Sequence, residues 1–215
     1  MLPRLNSSNR HEDLQENAIK IIDNNDNGIF EDGDQILFYG QSVNEWTPNT
    51  NYVGKYNHHK HLYDDYNFYF ITINSNGNPK RIEDYQISSK NLEQKMFNEF
   101  NELQYHEQDI LNFIQSGEEW YGEEFDVNLS QSFSFNVPNI SESTGAFVKA
   151  KVAARASSSP SFTFSENGTQ FMDVSLGTVS YGYIDDYATI ASVEGTFLPS
   201  SENININVNF NRSSA

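Results

Sequence analysis

Residues 203–211 read Asn-Ile-Asn-Ile-Asn-Val-Asn-Phe-Asn, polar and apolar in unbroken turn. A period of two places Ile204, Ile206, Val208 and Phe210 on one face of an extended chain and the asparagines on the other. No helix satisfies that pattern, so the segment is predicted to be a half-buried β-strand. Looser versions of the alternation recur at 132–137, 146–154, 161–165 and 189–196, between clusters of Pro, Gly, Asn and Ser that suit turns. Strands at such spacing fit an all-β sandwich, and their repeat is too irregular for a solenoid or propeller. The sequence ends within a few residues of the last strand, and the chain is read as a piece of a longer protein.

Upstream of Val127 the patterning is mixed. After an apolar stretch, Ala18 to Ile22, strands are predicted at Gln35–Tyr39 and at Phe68–Ile73, the latter closed by the turn Asn74-Ser-Asn-Gly77. Residues 41–66 read as a long connection rich in Asn, Tyr and His. Ile110, Leu111, Phe113 and Ile114 fit one helical face, with Asp109 in an early turn and Gly117 where a C-cap belongs, so a short helix is predicted at about 106–116. The fold expected is mainly β: a β-rich domain with that short helix over 1–127, then a jelly-roll-like β-sandwich over 128–215. Trp120 and Tyr121 are expected to pack the two parts together.

Charge narrows the function. Thirteen Lys and Arg stand against thirty Asp and Glu in 215 residues, a formal charge of −17. That balance repels phosphate backbones and anionic membrane surfaces, so no nucleic-acid partner is expected. Aromatics make up 14% of the chain, too many for the usual disordered composition. No window approaches 18 apolar residues, so no membrane span is expected, and the first residues lack the apolar core of a signal peptide. Cysteine is absent, which removes disulfides, thiolate metal sites and a cysteine nucleophile.

The acidic run Asp23-Asn-Asn-Asp-Asn-Gly-Ile-Phe-Glu-Asp-Gly-Asp34 carries the most specific spacing. With Asp23 as position 1, side-chain oxygens fall at positions 1, 3, 5, 9 and 12: Asp23, Asn25, Asn27, Glu31 and Asp34. Gly28 sits at position 6, where the loop turns sharply, and Ile29 at position 7 offers its carbonyl. This is the EF-hand calcium pattern with Asp34 in place of the usual bidentate Glu. Calcium takes six to eight hard oxygens, and short Asp and Asn side chains on one loop supply them. The alternative is an acidic turn whose side chains cap their own backbone. A strand is predicted where the exiting helix of a regulatory EF-hand would be, so the calcium expected here is structural.

Other clusters read more plainly. His58-His-Lys-His61 brings three imidazoles together, but in a polar segment expected to be a solvated loop. His106 has no Ser or Cys nucleophile beside it. Trp46, Tyr52, Tyr56, Tyr63, Tyr66, Phe68, Tyr69 and Phe70 would serve as a sugar-stacking platform or, more simply, as packing. Phosphate-binding glycine loops, nucleophile elbows and zinc-protease helices are missing, and no catalytic constellation emerges.

Three segments, in order, resemble the region ahead of the catalytic domain in gingipain-like cysteine peptidases, within them the sortases of type IX secretion in the Bacteroidota. The first is Asp26 to Gln41, with Asp26, Gly28, Phe30, Asp34 and the run Ile36-Leu-Phe-Tyr-Gly40. The second, Asn67-Phe-Tyr-Phe-Ile71, is similar to a strand of that family. The third and most specific is Glu107 to Glu123, with Asp109, Asn112, Ser116, Gly117, Trp120, Tyr121 and Gly122 in the family's spacing. The β-rich region around Ala153-Ala-Arg155 fits the sandwich that precedes the peptidase domain.

The resemblance implies a parent protein that removes C-terminal sorting domains from secreted cargo and joins the cargo to surface lipopolysaccharide, using a Cys/His dyad in a caspase-like domain. No position here matches that dyad, so no catalytic residue carries over. The chain is then expected to be a non-catalytic scaffold and interaction region, exported to the cell surface or outer membrane of a Gram-negative bacterium. Its expected partners are its own downstream peptidase domain and secretion-system proteins or cargo sorting domains. The rival expectation is a calcium-stabilised carbohydrate-binding or adhesive β-sandwich module. A stand-alone hydrolase using acidic pairs lacks any supporting spacing.

Overall fold

The alternation at 203–211 becomes the strand on which the second half of the protein is built. The computed structural model describes residues 12–51, 54–73, 77–85, 98–113, 119–180, 182 and 186–212. Its strands are β1 (Ile19–Ile22), β2 (Gln35–Phe38), β3 (Asn44–Pro48), β4 (Tyr56–Lys60), β5 (Ser130–Asn136), β6 (Ala146–Ala154), β7 (Ser161–Glu166), β8 (Thr169–Ser175), β9 (Thr189–Phe197) and β10 (Asn203–Asn211). The protein is mainly β, every strand pair is antiparallel, and no helix occurs among the described residues. The chain divides between Phe100 and Asn101 into two units, and residues 101–127 group with the second.

In the second unit β10 is central to a four-stranded sheet ordered β5-β10-β7-β8, and β6 pairs β9 in a separate two-stranded sheet. Ile204, Ile206 and Val208 are buried with Phe162 and Phe164 of β7 and Met172 of β8. Val148, Ala150 and Val152 of β6 and Ala191 and Val193 of β9 close over them, making a β-sandwich-like core. The approach is close at Gly195 of β9, where a Cβ would lie 2.8 Å from the Cβ of Met172, so a side chain there has no room. The asparagines of β10 face outward opposite Ser130, Ser132 and Ser134 of β5 on one side and Ser161, Thr163 and Ser165 of β7 on the other.

The first unit is two hairpins and extended chain. β1 pairs β2 from Ile19↔Phe38 to Ile22↔Gln35, and β3 pairs β4 from Asn44↔Lys60 to Pro48↔Tyr56. Extended chain at Lys80–Ile82 docks on β1: Ile19 N donates to Lys80 O at 3.3 Å and Ile82 N to Ile19 O at 3.0 Å. Lys20 Nζ meets Asp84 Oδ1 at 2.6 Å beside it.

Three local expectations are corrected. The helix at 106–116 does not form over 106–113, while 114–116 lie outside the described residues. Leu111 and Tyr121 instead exchange both backbone hydrogen bonds at 2.8 Å, a long-range pairing that replaces the helical one. The strand at Phe68–Ile73 is likewise absent, with 74–76 of its turn outside the described residues. It finds no ladder partner among the described residues; Asn67 Nδ2 donates to Gln41 O at 2.7 Å and the Tyr69 ring packs 5.1 Å from Phe38, so side chains dock the segment. Finally, 41–66 is not one long connection but contains the β3–β4 hairpin, held partly by Trp46 packing at 4.7 Å on His58 across the ladder.

Candidate functional site

The acidic loop spans the gap between two strands already in register. β1 ends at Ile22 and β2 begins at Gln35, its direct partner, so the twelve residues 23–34 start and finish at adjacent points. Inside the loop, Asp23 Oδ2 accepts from Gly28 N at 2.7 Å and Oδ1 from Asn25 N at 3.2 Å. Asn27 Oδ1 accepts from Ile29 N at 2.7 Å. Asp34 receives Asn24 N at 3.0 Å on Oδ1 and Glu31 N at 2.9 Å on Oδ2. Asn25 Nδ2 donates to Glu31 Oε1, which Asn27 Nδ2 also reaches at 3.2 Å. Gly28 has φ +76 and Gly33 φ +96, left-handed values that glycine adopts without strain.

The residues singled out by spacing are thus brought to one loop, with the side-chain oxygens of Asp23, Asn25, Asn27, Glu31 and Asp34 all drawn into its hydrogen bonding. The Gly28 N–H holds the Asp23 carboxyl below the usual carboxylate range. Among the described residues no three His, Cys, Asp or Glu side chains stand close enough together to hold a metal ion. Any cation site here therefore needs the Asn and backbone oxygens as well as the carboxylates, which is the mixed hard-oxygen set that calcium takes.

The histidines do not converge. His58 and His59 alternate across β4: His58 Nε2 meets Asn44 Oδ1 at 3.1 Å, and His59 Nε2 meets Thr47 Oγ1 at 3.2 Å. Burial lowers the pKa of His58, with His59 and Lys60 adding to the effect. His61 Nδ1 accepts from Tyr63 N and Asp64 N at 3.2 and 3.0 Å, capping the turn beyond β4. His106 sits over the Phe133 ring, its Nε2 2.5 Å from Glu123 Oε1, with no nucleophile placed beside it by any contact of the described residues.

Around the Trp-Tyr-Gly-Glu stretch the anchor is Tyr121 rather than Trp120. Trp120 is 44% exposed, which corrects the expectation of a packed indole. Tyr121 stacks on Phe113 at 4.9 Å and donates its hydroxyl to Glu119 Oε2 at 3.1 Å, while Lys151 of β6 holds Glu119 Oε1 at 2.5 Å. Partial burial, then the Glu119 carboxylate, push the Tyr121 phenol up to about 12.

A second concavity was missed from sequence. Glu166, Asn167, Ser200, Ser201, Asn203 and Asn205 line a cleft of about 520 Å³ where the β7–β8 hairpin meets the start of β10. The overlooked signal was Asn167-Gly168, both at positive φ, +46 and +77, between two apolar alternations. That pair marks a two-residue hairpin turn and would have revealed β8. Comparisons with protein-family models, curated proteins and solved structures find no match for this chain.

Proposed function

We propose that the chain is a non-catalytic scaffold and interaction region of a gingipain-like sortase of the PorU kind, serving type IX secretion at a Gram-negative cell surface. The observation that carries this reading is the order and spacing of the three motifs, above all Ser116-Gly117 followed by Trp120-Tyr-Gly-Glu123. With no cysteine in the chain, the nucleophile that cuts cargo sorting domains would lie in a downstream peptidase domain. Exposed apolar side chains on the first unit, Leu37, Phe38, Tyr39, Phe68, Phe70 and Ile71, supply the kind of surface an interaction region needs. Its partners would be that peptidase domain and secretion-system proteins or cargo.

Calcium belongs to the same reading as a structural ion. Asp23, Asn25, Asn27, the Ile29 carbonyl, Glu31 and Asp34 would hold it, and it would supply the positive charge that the loop lacks. The rival reading, a calcium-stabilised carbohydrate-binding or adhesive module, loses support from the aromatics: Trp46 already packs on His58, and the rings of Tyr66 and Phe68 tilt by 46° rather than forming one flat platform.

Sequencing the coding region beyond Ala215 tests the proposal. An open frame that runs into a caspase-like domain with Cys and His is the expected result. A stop codon at that point, or an unrelated domain, overturns it.

A further inference from the structure

The ladder around β10 is uneven. β5 pairs with β10 from Asn203 to Asn209, but β7 pairs only from Ile206 to Asn211, because the chain turns away at Asn167-Gly168. Phe210 N donates to Leu129 O and Val137 N to Glu202 O, so the even-numbered residues of β10 direct their backbone groups at β5. The odd-numbered residues direct theirs the other way. For the Asn205 carbonyl and for Asn207 and beyond that means the β7 side; for Asn203 and the Asn205 N–H it means the cleft. Ser201 Oγ donates to Asn203 O at 2.9 Å; the closing pair Ile206↔Glu166 of the β7 ladder sets Asn167 N opposite Asn205 O, and no backbone acceptor for Asn205 N occurs among the described residues.

One wall of this cleft is Glu166, a carboxyl only 8% exposed. Ser200 Oγ donates to its Oε1 at 3.1 Å, and no protein donor among the described residues reaches Oε2. The remaining lining is amide, hydroxyl and glycine: Asn167, Gly168, Ser201, Asn203, Asn205 and Asn207. An unpaired edge in a sheet costs free energy unless water or a ligand satisfies it.

We propose that this cleft binds a neutral polyhydroxylated ligand, of the chemical class of a sugar. A hydroxyl both donates and accepts, which matches a carboxylate acceptor beside side-chain amides and the Asn205 peptide N–H. The lining holds no cation to attract an anion and no apolar ring to hold a lipid tail or an apolar side chain. A single carboxylate in about 520 Å³ is also a poor cage for a metal ion, which is bound by six or more oxygens at short range. Binding rests on hydrogen bonds without ring stacking, so millimolar affinity is expected. The inference is independent of the sortase reading, since the cleft belongs to the sandwich whatever domain follows.

The test is a titration of the full chain, nitrogen-15 labelled, with glucose, galactose, mannose and N-acetylglucosamine, reading backbone amide shifts. The expected result is a saturable shift of Asn205 and its cleft neighbours with at least one sugar. Glu166→Gln, which keeps the shape, should weaken it by about tenfold. Asn207→Tyr, at an outward position, should block the cleft and abolish the shift even if the Glu166 variant fails to fold. Shifts that stay linear for all four sugars, saturate elsewhere, or survive Asn207→Tyr would overturn the proposal. So would a saturable response of the same amides to calcium chloride with none to sugar.

Discussion

The two units use the same secondary structure and differ in what it buries. In the second unit every long strand sends alternate side chains into one core, and all the buried apolar residues among those described, from Ala154 to Val208, belong to it. In the first, β1 and β2 run four residues each, and Ile36, Leu37 and Phe38 remain exposed on a two-stranded ribbon. A two-stranded hairpin is marginal alone because it has nothing to pack its apolar face against. Ladder hydrogen bonds set the direction of the chain in both units, but only the sandwich adds the burial that makes a ladder costly to open.

The largest expected effect contrasts one phenylalanine from each. Phe164→Ala removes a buried ring of β7 packed with Val208 and Met172 and should cost about 3–5 kcal/mol in denaturant unfolding. Phe70→Ala removes an exposed ring and should stay within about 0.5 kcal/mol. Equal costs at the two sites would erase the distinction. Next comes Gly195→Ala, whose new methyl would meet Met172 at 2.8 Å and force the sheets apart. A loss of about 1–3 kcal/mol is expected from such overpacking. An unchanged midpoint would mean that β9 is free to shift.

What was legible in the sequence follows the same division. Where alternation coincided with burial, as in β6, β7, β9 and β10, period two marked the strands directly, because the solvent and the core each select one face. β3 and β4 escaped notice because neither face of Asn44 to Pro48 and Tyr56 to Lys60 is continuously apolar, Trp46, Pro48 and Tyr56 alternating with Asn44, His58 and Lys60 on one of them, and the hairpin gains stability from cross-strand contacts such as Trp46 on His58. Leu111 looked helical by spacing, yet its backbone is claimed by Tyr121, a partner ten residues away that no local window weighs. The acidic loop was readable because its oxygens and Gly28 are contiguous. The polar cleft was not, since it exists only through the register by which β10 outruns β7.

The loop offers a way to sharpen the comparison from the weaker side. If calcium locks residues 23–34, millimolar calcium should raise the melting temperature of the first unit by several degrees relative to EDTA and leave the sandwich transition in place. Asp23→Ala should remove that gain. Melts that coincide in EDTA and calcium would leave the loop an acidic turn. Acid acts on the same residue. The Asp23 carboxyl is held below its ordinary value of 3.8, so its contribution is present above that value and fades as pH falls through the lower folded-state pKa. Relative to the intrinsic exchange rate at each pH, loop amides should therefore begin to lose protection below about pH 4 while those of β10 keep theirs.

The smallest effect expected lies at the other end of the pH scale, in the second unit. Tyr121 is one of twelve tyrosines, and its phenol is pushed up to about 12 by burial against Phe113 and by the Glu119 carboxylate. A raised pKa favours the neutral form in the folded state. The contribution of Tyr121 is thus complete below 10 and is lost between 10 and about 12, as the unfolded chain ionises first. Ultraviolet titration of tyrosinate should show one residue lagging behind the exposed ones, and Tyr121→Phe should delete that late step. The Phe variant keeps the ring stack and the backbone exchange with Leu111, so its stability at neutral pH should change little. Should the late step survive the substitution, another phenol carries it, and the Leu111–Tyr121 bridge is more open to solvent than the packing of Phe113 implies.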